Sequence, residues 1–270
     1  MIKKSIKKFI NNILTGVILP VFSSQLRGMW LKVDPLMPGN LFFNNVEEEV
    51  HNVYNIFIKR GFTVLDVGAN VGLHSYYIAR HFENSKVYAF EPFPGNASYI
   101  RKMLSVNKIS NITLIEKALG EVSGNSYFNT AINNHQGHLT EQQTEMVVDM
   151  VSLDSFIEEN NVKPDFIKLD VEGGESAVLQ GFKKNISALY PTIIVEVHNT
   201  EQAKKVADFF RPLEYTLCKL VALKQTNSNR PFVIIDNVPS GEVPPVNMHG
   251  QIVAIPNKIF ASYSSFIYKA

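Results

Sequence analysis

The stretch that most constrains the fold is residues 63–75, Thr-Val-Leu-Asp-Val-Gly-Ala-Asn-Val-Gly-Leu-His-Ser. It opens as a short apolar strand, breaks at Gly68 and Gly72, and reads on as a helix through Ala79. A strand that turns through glycines into a helix makes a ligand cradle. The glycines let the backbone turn tightly and approach a bound group, and the helix start offers unpaired N–H groups at its positive end. The spacing is Gly-x-Asn-x-Gly, which differs from the Gly-x-Gly-x-x-Gly of dinucleotide enzymes. A glycine turn that only packs would look the same in isolation, so the reading depends on the later strands and how they end.

One strand later the chain supplies a matching acid. Residues 86–90 read as a buried strand that ends at Glu91-Pro92. In a doubly wound sheet an acid at the end of the second strand accepts hydrogen bonds from both hydroxyls of a ribose, a task suited to an acceptor-only carboxylate. Glycine turn and strand-end acid together favour a nucleoside-bearing cofactor. A third run, Asp170-Val171-Glu172-Gly173-Gly174-Glu175, gathers three carboxylates at the end of a strand over residues 165–170. Ligands bind at the carboxyl ends of such strands, near the switch in strand order, which sets Asp170 toward the same crevice as Gly68. Glu172 and Glu175 fit as acids that complement a helix dipole. In residues 192–198 Glu196 interrupts an apolar run, where a charge is costly unless paired. His198 follows at the edge, either as a loop histidine or as a catalytic one.

The 270 residues suffice for one large α/β domain or two small ones, and no repeat or linker divides them. A net charge of +1 lacks the basic excess of a nucleic-acid binder, so none is expected as a partner. Cys218 is the single cysteine, which excludes an internal disulfide and a thiolate metal cluster; its apolar surroundings mark a buried structural thiol. Residues 1–45 are expected to form an N-terminal helix and lid-like extension, and residues 46–270 the main domain. The start is basic and then apolar, but Asn11, Asn12 and Pro20 interrupt the run and no small-x-small cleavage site follows. A helix packed on the main domain is favoured, with peripheral membrane contact through residues 1–24 as the alternative. A cytoplasmic location goes with this reading.

Further along, residues 25–44, with Trp30, Phe42 and Phe43, read as a connecting lid or short hairpin whose aromatics could line a pocket. Asn45 and Glu48 form a capping-box pair for the next helix, which Gly61 ends. Residues 125–128 and 146–148 look like a short antiparallel excursion. Between them residues 129–144, with His135, Gly137 and His138, read as a solvated mobile loop, with substrate contact as the sharper option. Asp154 caps a short helix. The late strands can return as an antiparallel edge of the sheet.

The runs Val64-Leu65-Asp66-Val67-Gly68-Ala69-Asn70-Val71-Gly72, Phe90-Glu91-Pro92, Ala118-Leu119-Gly120, Ser152-Leu153-Asp154, Ile167-Lys168-Leu169-Asp170-Val171-Glu172-Gly173 and Ile194-Val195-Glu196 resemble the motif series of FkbM-type S-adenosylmethionine-dependent methyltransferases. The resemblance covers about residues 60–257, and the Lys-x-Asp-Val-Glu-Gly run is its most specific part. It implies a Rossmann-like class I methyltransferase fold, a doubly wound seven-stranded mostly parallel sheet with an antiparallel C-terminal strand. It also implies S-adenosylmethionine as cofactor and O-methylation of a hydroxyl on a sugar, glycan or natural product. Carried onto this chain, the cofactor contacts would be Asp66, Gly68, Ala69, Asn70, Gly72, Glu91, Pro92, Ala118, Leu119 and Asp170. His74 departs from such loops and is given an indirect role at most.

Methyl transfer to a hydroxyl needs alignment first. The weak nucleophile then needs a base, or a metal ion that acidifies it. Asp170, Glu196 and His198 are the catalytic candidates, with Asp66 ordering the glycine loop. No preformed set such as His-x-x-x-His appears, so a metal-free route with His198 as base is favoured over one using Mg2+. Two other classes compete. A dinucleotide-dependent oxidoreductase or epimerase has the wrong loop spacing against it, and no Tyr-x-x-x-Lys pair stands at a suitable place. A catalytically silent cofactor-binding partner in a biosynthetic complex is the other.

Overall fold

The computed structural model describes residues 14–22, 24–34, 47–130, 137–140, 142, 144, 146–220, 231–235 and 250–268. Residues 1–13 of the N-terminal helix expected over residues 1 to about 24, Phe42, Phe43, the Asn45 cap and His135 lie outside them; within the described part of that segment, Ile18–Pro20 is a strand and not a helix. The described start is an antiparallel hairpin of β1 (Ile18–Pro20) and β2 (Trp30–Lys32). Next come α1 (Glu48–Phe57), β3 (Thr63–Val67), α2 (Leu73–His81), β4 (Lys86–Phe90), α3 (Pro94–Asn107) and β5 (Ile112–Ile115). Then follow β6 (Ala118–Gly120), β7 (Gly124–Thr130), β8 (Gly137–Thr140), β9 (Val147–Ser152), α4 (Leu153–Asn160) and β10 (Phe166–Leu169). The rest is α5 (Glu175–Gln180), α6 (Ile186–Leu189), β11 (Thr192–Val197), α7 (Thr200–Phe210), β12 (Tyr215–Leu220), β13 (Phe232–Ile234), β14 (Gly250–Pro256), α8 (Asn257–Phe260), a 3-10 turn (Ala261–Phe266) and β15 (Ile267–Tyr268).

The main sheet has the order β15-β13-β12-β14-β11-β10-β3-β4-β5. From β3 the chain winds outward through β4 and β5, and β10 then returns to the other side of β3, all in parallel. The switch point therefore lies between β3 and β10, and a crevice opens at their carboxyl ends. The antiparallel late strand is β14, but it is not an edge. It inserts between β11 and β12, pairing antiparallel with both. Its residues 252–255 are fully buried, which explains why the run Ile-Val-Ala-Ile carries no polar alternation. Two strands beyond the expected seven, β13 and β15, extend this side.

A smaller cluster of Ala118, Phe128 and Val148 lies with β6, β7 and β9, and strand periodicity gives the main sheet two cores. Val64, Phe166, Ile194, Val253 and Ile255 face one of them, with α1, α2, α3 and the N-terminal hairpin. Leu65, Val67, Ile167, Leu169, Ile193, Val195, Ile252 and Ala254 face the other, with α4, α5 and α7. Each buried Val, Leu, Ile or Phe side chain among them contributes about 1.5–3 kcal/mol. Asp66 and Lys168 fall on the first face by the same alternation, and they sit opposite each other in the β3–β10 register. Cys218 is buried as expected.

Several local expectations change. The hairpin packs on α3: the Asn107 side chain bonds both the N–H and C=O of Trp30, at 2.7 and 2.8 Å, and the Tyr99 hydroxyl donates to Lys32 O. Trp30 is 47% exposed there and is not among the residues lining the cavity described below. Glu47, in the left-handed region at φ 53°, precedes α1, and the helix ends at Phe57, ahead of Gly61. Ser152 caps α4, accepting from Ser155 N, while Asp154 accepts from the backbone of Lys184 and Asn185. The antiparallel excursion is real and larger than expected. A second sheet runs β6-β9-β7-β8, and residues 137–140 form its edge strand rather than a mobile loop.

Candidate active site

At the switch point β3 ends in the glycine loop. Gly68 has φ +76°, and a Cβ there would lie 1.7 Å from the backbone oxygen of Asp170. Only glycine lets the two strand ends come this close. The N–H groups of Gly68 and Ala69 both donate to Phe90 O, at 3.1 and 2.9 Å, which ties the loop to the end of β4. Gly72, at φ +86°, precedes α2.

Beneath the loop is a buried charge cluster. Lys168 Nζ donates to Gly68 O and to Asp170 Oδ2, each at 3.1 Å, and lies 3.7 Å from Asp66 Oδ1. Asp66 Oδ2 accepts from the Ser75 hydroxyl at 2.6 Å, fixing the first turn of α2. Burial opposes the charge of Lys168, but the Asp170 and Asp66 carboxylates outweigh it and the pKa is raised. One ammonium thus clamps the loop, both strand ends and the base of the helix.

Glu91 is 5% exposed at the end of β4. Its Oε2 accepts from Asn70 N at 2.7 Å; its Oε1 accepts from Phe93 N at 3.0 Å and from the Asn96 side chain at 3.3 Å. Burial pushes its pKa up to about 7 despite these bonds. An ionised carboxylate has about four acceptor positions, so about one is left for a ribose hydroxyl rather than the two expected. The raised pKa carries a sign. Between 4.5 and about 7 the folded state binds more protons than the unfolded one. Stability is therefore greatest below this window and falls as pH rises through it, by on the order of 3 kcal/mol. A hydroxyl donor favours the ionised form, so affinity for S-adenosylhomocysteine is expected to rise with pH up to about 7 and then level off. Glu91→Gln should flatten that profile. Glu91→Ala should weaken binding by about 2 kcal/mol with the fold retained. Calorimetry across pH checks this, and a flat profile in the parent chain would take Glu91 out of contact with the ligand.

On the far side of the crevice stand Asp170, Glu172, Glu175 and His198. Glu175 is fully buried; its Oε1 accepts from Val171 N and Gly173 N, and burial raises its pKa. His198 Nε2 lies 3.9 Å from Asp170 Oδ1 and 3.6 Å from Glu172 Oε2. Glu196 accepts from the Gln251 side chain at 2.8 Å, and its pKa is raised by burial and by Asp170. It thus has the partner that a charge in this strand requires.

A cavity opens between the glycine loop, Glu91 and the Asp170–Glu172 strand end. Its walls include apolar Val67, Phe90, Leu119, Phe128 and Leu139. Of the residues expected from the sequence, Gly68, Asn70, Glu91, Pro92, Ala118, Leu119 and Asp170 line it. Asp66, Ala69 and Gly72 do not; Asp66 is wholly buried and Gly72 packs on the Tyr76 ring, so they shape the loop from behind. Glu196 and His198 stand outside the lining, His198 beside Asp170 and Glu172. His74 bonds Glu47 at 2.7 Å in a separate cluster with His51 and Tyr54. Sequence reasoning missed Lys168, Asn96, Phe128 and Leu139 as site residues. A lysine inside a buried strand was a readable signal for the first. Phe128 and Leu139 reach the site only through pairing of β7 with β8, which no local pattern announces.

Comparison with known proteins bears on this arrangement. The family model of the methyltransferase FkbM domain matches residues 66–219. Methyltransferase 1 of Beauveria bassiana is 27% identical over 158 residues, which is 50% of this chain and 64% of that protein. The hexuronic acid methyltransferase AglP of Haloferax volcanii is 26% identical over 171 residues, 63% of this chain and 68% of that protein. The chain thus spans less than two thirds of the Beauveria protein. The crystal structure of a methyltransferase FkbM from Methylobacillus flagellatus superimposes with a TM-score of 0.51 at 16% identity, over 73% of this chain and 44% of that one. That likeness speaks to the fold.

Proposed function

The chain belongs to the FkbM methyltransferase family, and from that premise we propose that it transfers a methyl group from S-adenosylmethionine to a hydroxyl of a sugar, glycan or natural product. The observation that carries the reading is the pairing of a buried strand-end carboxylate, Glu91, with the N–H of Asn70 across the mouth of the glycine loop. The donor set fits the cofactor. Glu91 offers an acceptor for a ribose hydroxyl, Phe90, Leu119 and Leu139 offer flat apolar walls for a base, and Gly68 and Asn70 bring main chain to the cavity. When bound, the cofactor supplies a methyl group already activated on a sulfonium.

What remains for the protein is placement and proton handling. The polar end of the cavity is the strand-end group of Asp170 and Glu172. Lys168 holds Asp170 by Oδ2, which fixes the carboxylate at the polar end of the cavity. His198 and the carboxylates are the groups that can take or hold the hydroxyl proton. The acceptor class is supported by the AglP relative, whose name specifies a hexuronic acid. No described helix is long and apolar enough to cross a membrane.

The test has two parts. The full chain is expected to bind S-adenosylhomocysteine with a dissociation constant in the low micromolar range, about 8 kcal/mol. With labelled S-adenosylmethionine it should then transfer label to uronic-acid-containing or neutral glycans, followed by mass spectrometry. Tight binding of NAD without any response to S-adenosylhomocysteine would end the methyltransferase reading. Cofactor binding with no transfer to any hydroxyl acceptor would favour a silent partner.

A further inference from the structure

Asp170, Glu175 and His198 come from three separate places in the chain, yet each offers one ligand atom to the same small region. Those atoms all lie within 4.8 Å of one another. The opposite atom of each carboxylate is already anchored by the protein. Asp170 Oδ2 is held by Lys168, and Glu175 Oε1 by the N–H groups of Val171 and Gly173. The remaining Glu175 Oε2 is buried with no hydrogen-bond partner, in a side chain that is 0% exposed. His198 Nε2 is likewise buried without a hydrogen-bond partner. Glu172, at φ 54° in the left-handed region, adds an oxygen 3.6 Å from that nitrogen. A buried carboxylate oxygen and a buried imidazole nitrogen, each without a hydrogen-bond partner, are costly unless a ligand satisfies them.

We propose that Asp170, Glu175 and His198, with Glu172 at the rim, bind a divalent cation of the Mn2+ type beside the cofactor cavity. One imidazole and two or three carboxylates suit a divalent first-row ion of intermediate hardness. Ligands about 2.1 Å from an ion stand about 3 Å apart when adjacent and about 4.2 Å apart when opposed. The observed separations of 3.6 and 3.9 Å fall in that range, and the 4.8 Å limit requires only a small side-chain contraction. The anchored outer atoms are the outer-shell bonds that orient such ligands. The sequence favours a metal-free route because no local ligand motif is present. The structure explains that absence, since the ligands converge from the end of β10, the start of α5 and the end of β11.

The role of the ion rests on the methyltransferase reading. Asp170 and Glu172 line the cavity, so an acceptor hydroxyl bound to the ion would lose its proton more readily, to Glu172 or to water.

The test uses the full chain, stripped with a chelator and titrated with Mn2+ under electron paramagnetic resonance and calorimetry. One ion per chain is expected, with His198→Ala and Asp170→Asn each weakening binding about tenfold or more. His198 is half-exposed, so its variant should fold even if Asp170→Asn disturbs Lys168. Glu91→Ala should bind Mn2+ like the parent. No binding of Mn2+, Zn2+ or Mg2+ up to about 1 mM by folded protein would overturn the proposal. So would stoichiometric binding that neither substitution weakens. S-adenosylhomocysteine is titrated separately: Mn2+ binding without it would keep the metal site and remove the cofactor reading, and the reverse result would do the opposite.

Discussion

Lys168→Ala is expected to destabilise the protein by about 3–5 kcal/mol. The ammonium is buried between Asp170 Oδ2 at 3.1 Å and Asp66 Oδ1 at 3.7 Å, and it also donates to Gly68 O. Asp66 Oδ1 has no hydrogen bond of its own, so without Lys168 a wholly buried carboxylate oxygen faces neither cation nor donor. Against a typical stability of about 5–15 kcal/mol, that loss leaves the chain near its folding threshold. Urea unfolding measures it. The double variant Lys168→Met with Asp66→Asn should recover part of the loss, because the uncompensated charge goes with its partner. A change under about 1 kcal/mol in Lys168→Ala would show that solvent reaches the cluster and that the clamp is not structural.

Gly68→Ala is expected to cost about 3 kcal/mol of stability and to weaken S-adenosylhomocysteine binding by about 100-fold. Two penalties combine. The backbone at φ +76° disfavours any side chain by about 1 kcal/mol or more. The new methyl group would also sit 1.7 Å from the backbone oxygen of Asp170 and 2.8 Å from its carbonyl carbon. Both atoms are main chain, and Asp170 N is bonded to Val67 O at 3.1 Å, so relief requires the two strand ends to separate. That moves Asp170 away from the cavity, and its contacts with Lys168 and His198 go with it. Gly72→Ala meets the edge of the Tyr76 ring instead, and a side chain yields more easily than a strand. Its cost should be smaller, and thermal unfolding together with calorimetry compares the two. Equal, small effects in both variants would mean that the close approach at Gly68 is not what holds the site.

The expectations that changed share one cause. The acceptor count of Glu91 fell because Asn70, Phe93 and Asn96 occupy it, and each lies beyond the strand that presents the acid. Residues 137–140 read as a polar loop, yet strand pairing with residues 127–130 makes them a wall of the cavity. Asp154 looks like a helix cap in sequence, but Ser152 holds that position and frees Asp154 to bridge to Lys184 and Asn185.

By itself the sequence determined the α/β class, the parallel strands on both sides of the glycine loop, and Gly68, Glu91 and Asp170 as groups around the cavity, while Asn70 came from the family resemblance. These are legible because each depends on local chemistry: an apolar run, a glycine that must turn, an acid at a strand end. Only the tertiary structure decided that β14 inserts into the sheet rather than ending it, and that Lys168 clamps two strands. It also decided that Asp170, Glu175 and His198 converge. Those facts depend on register between strands far apart in the chain, where a shift of one residue would turn Lys168 from Asp66 toward the opposite core. No pattern within a single segment carries that information.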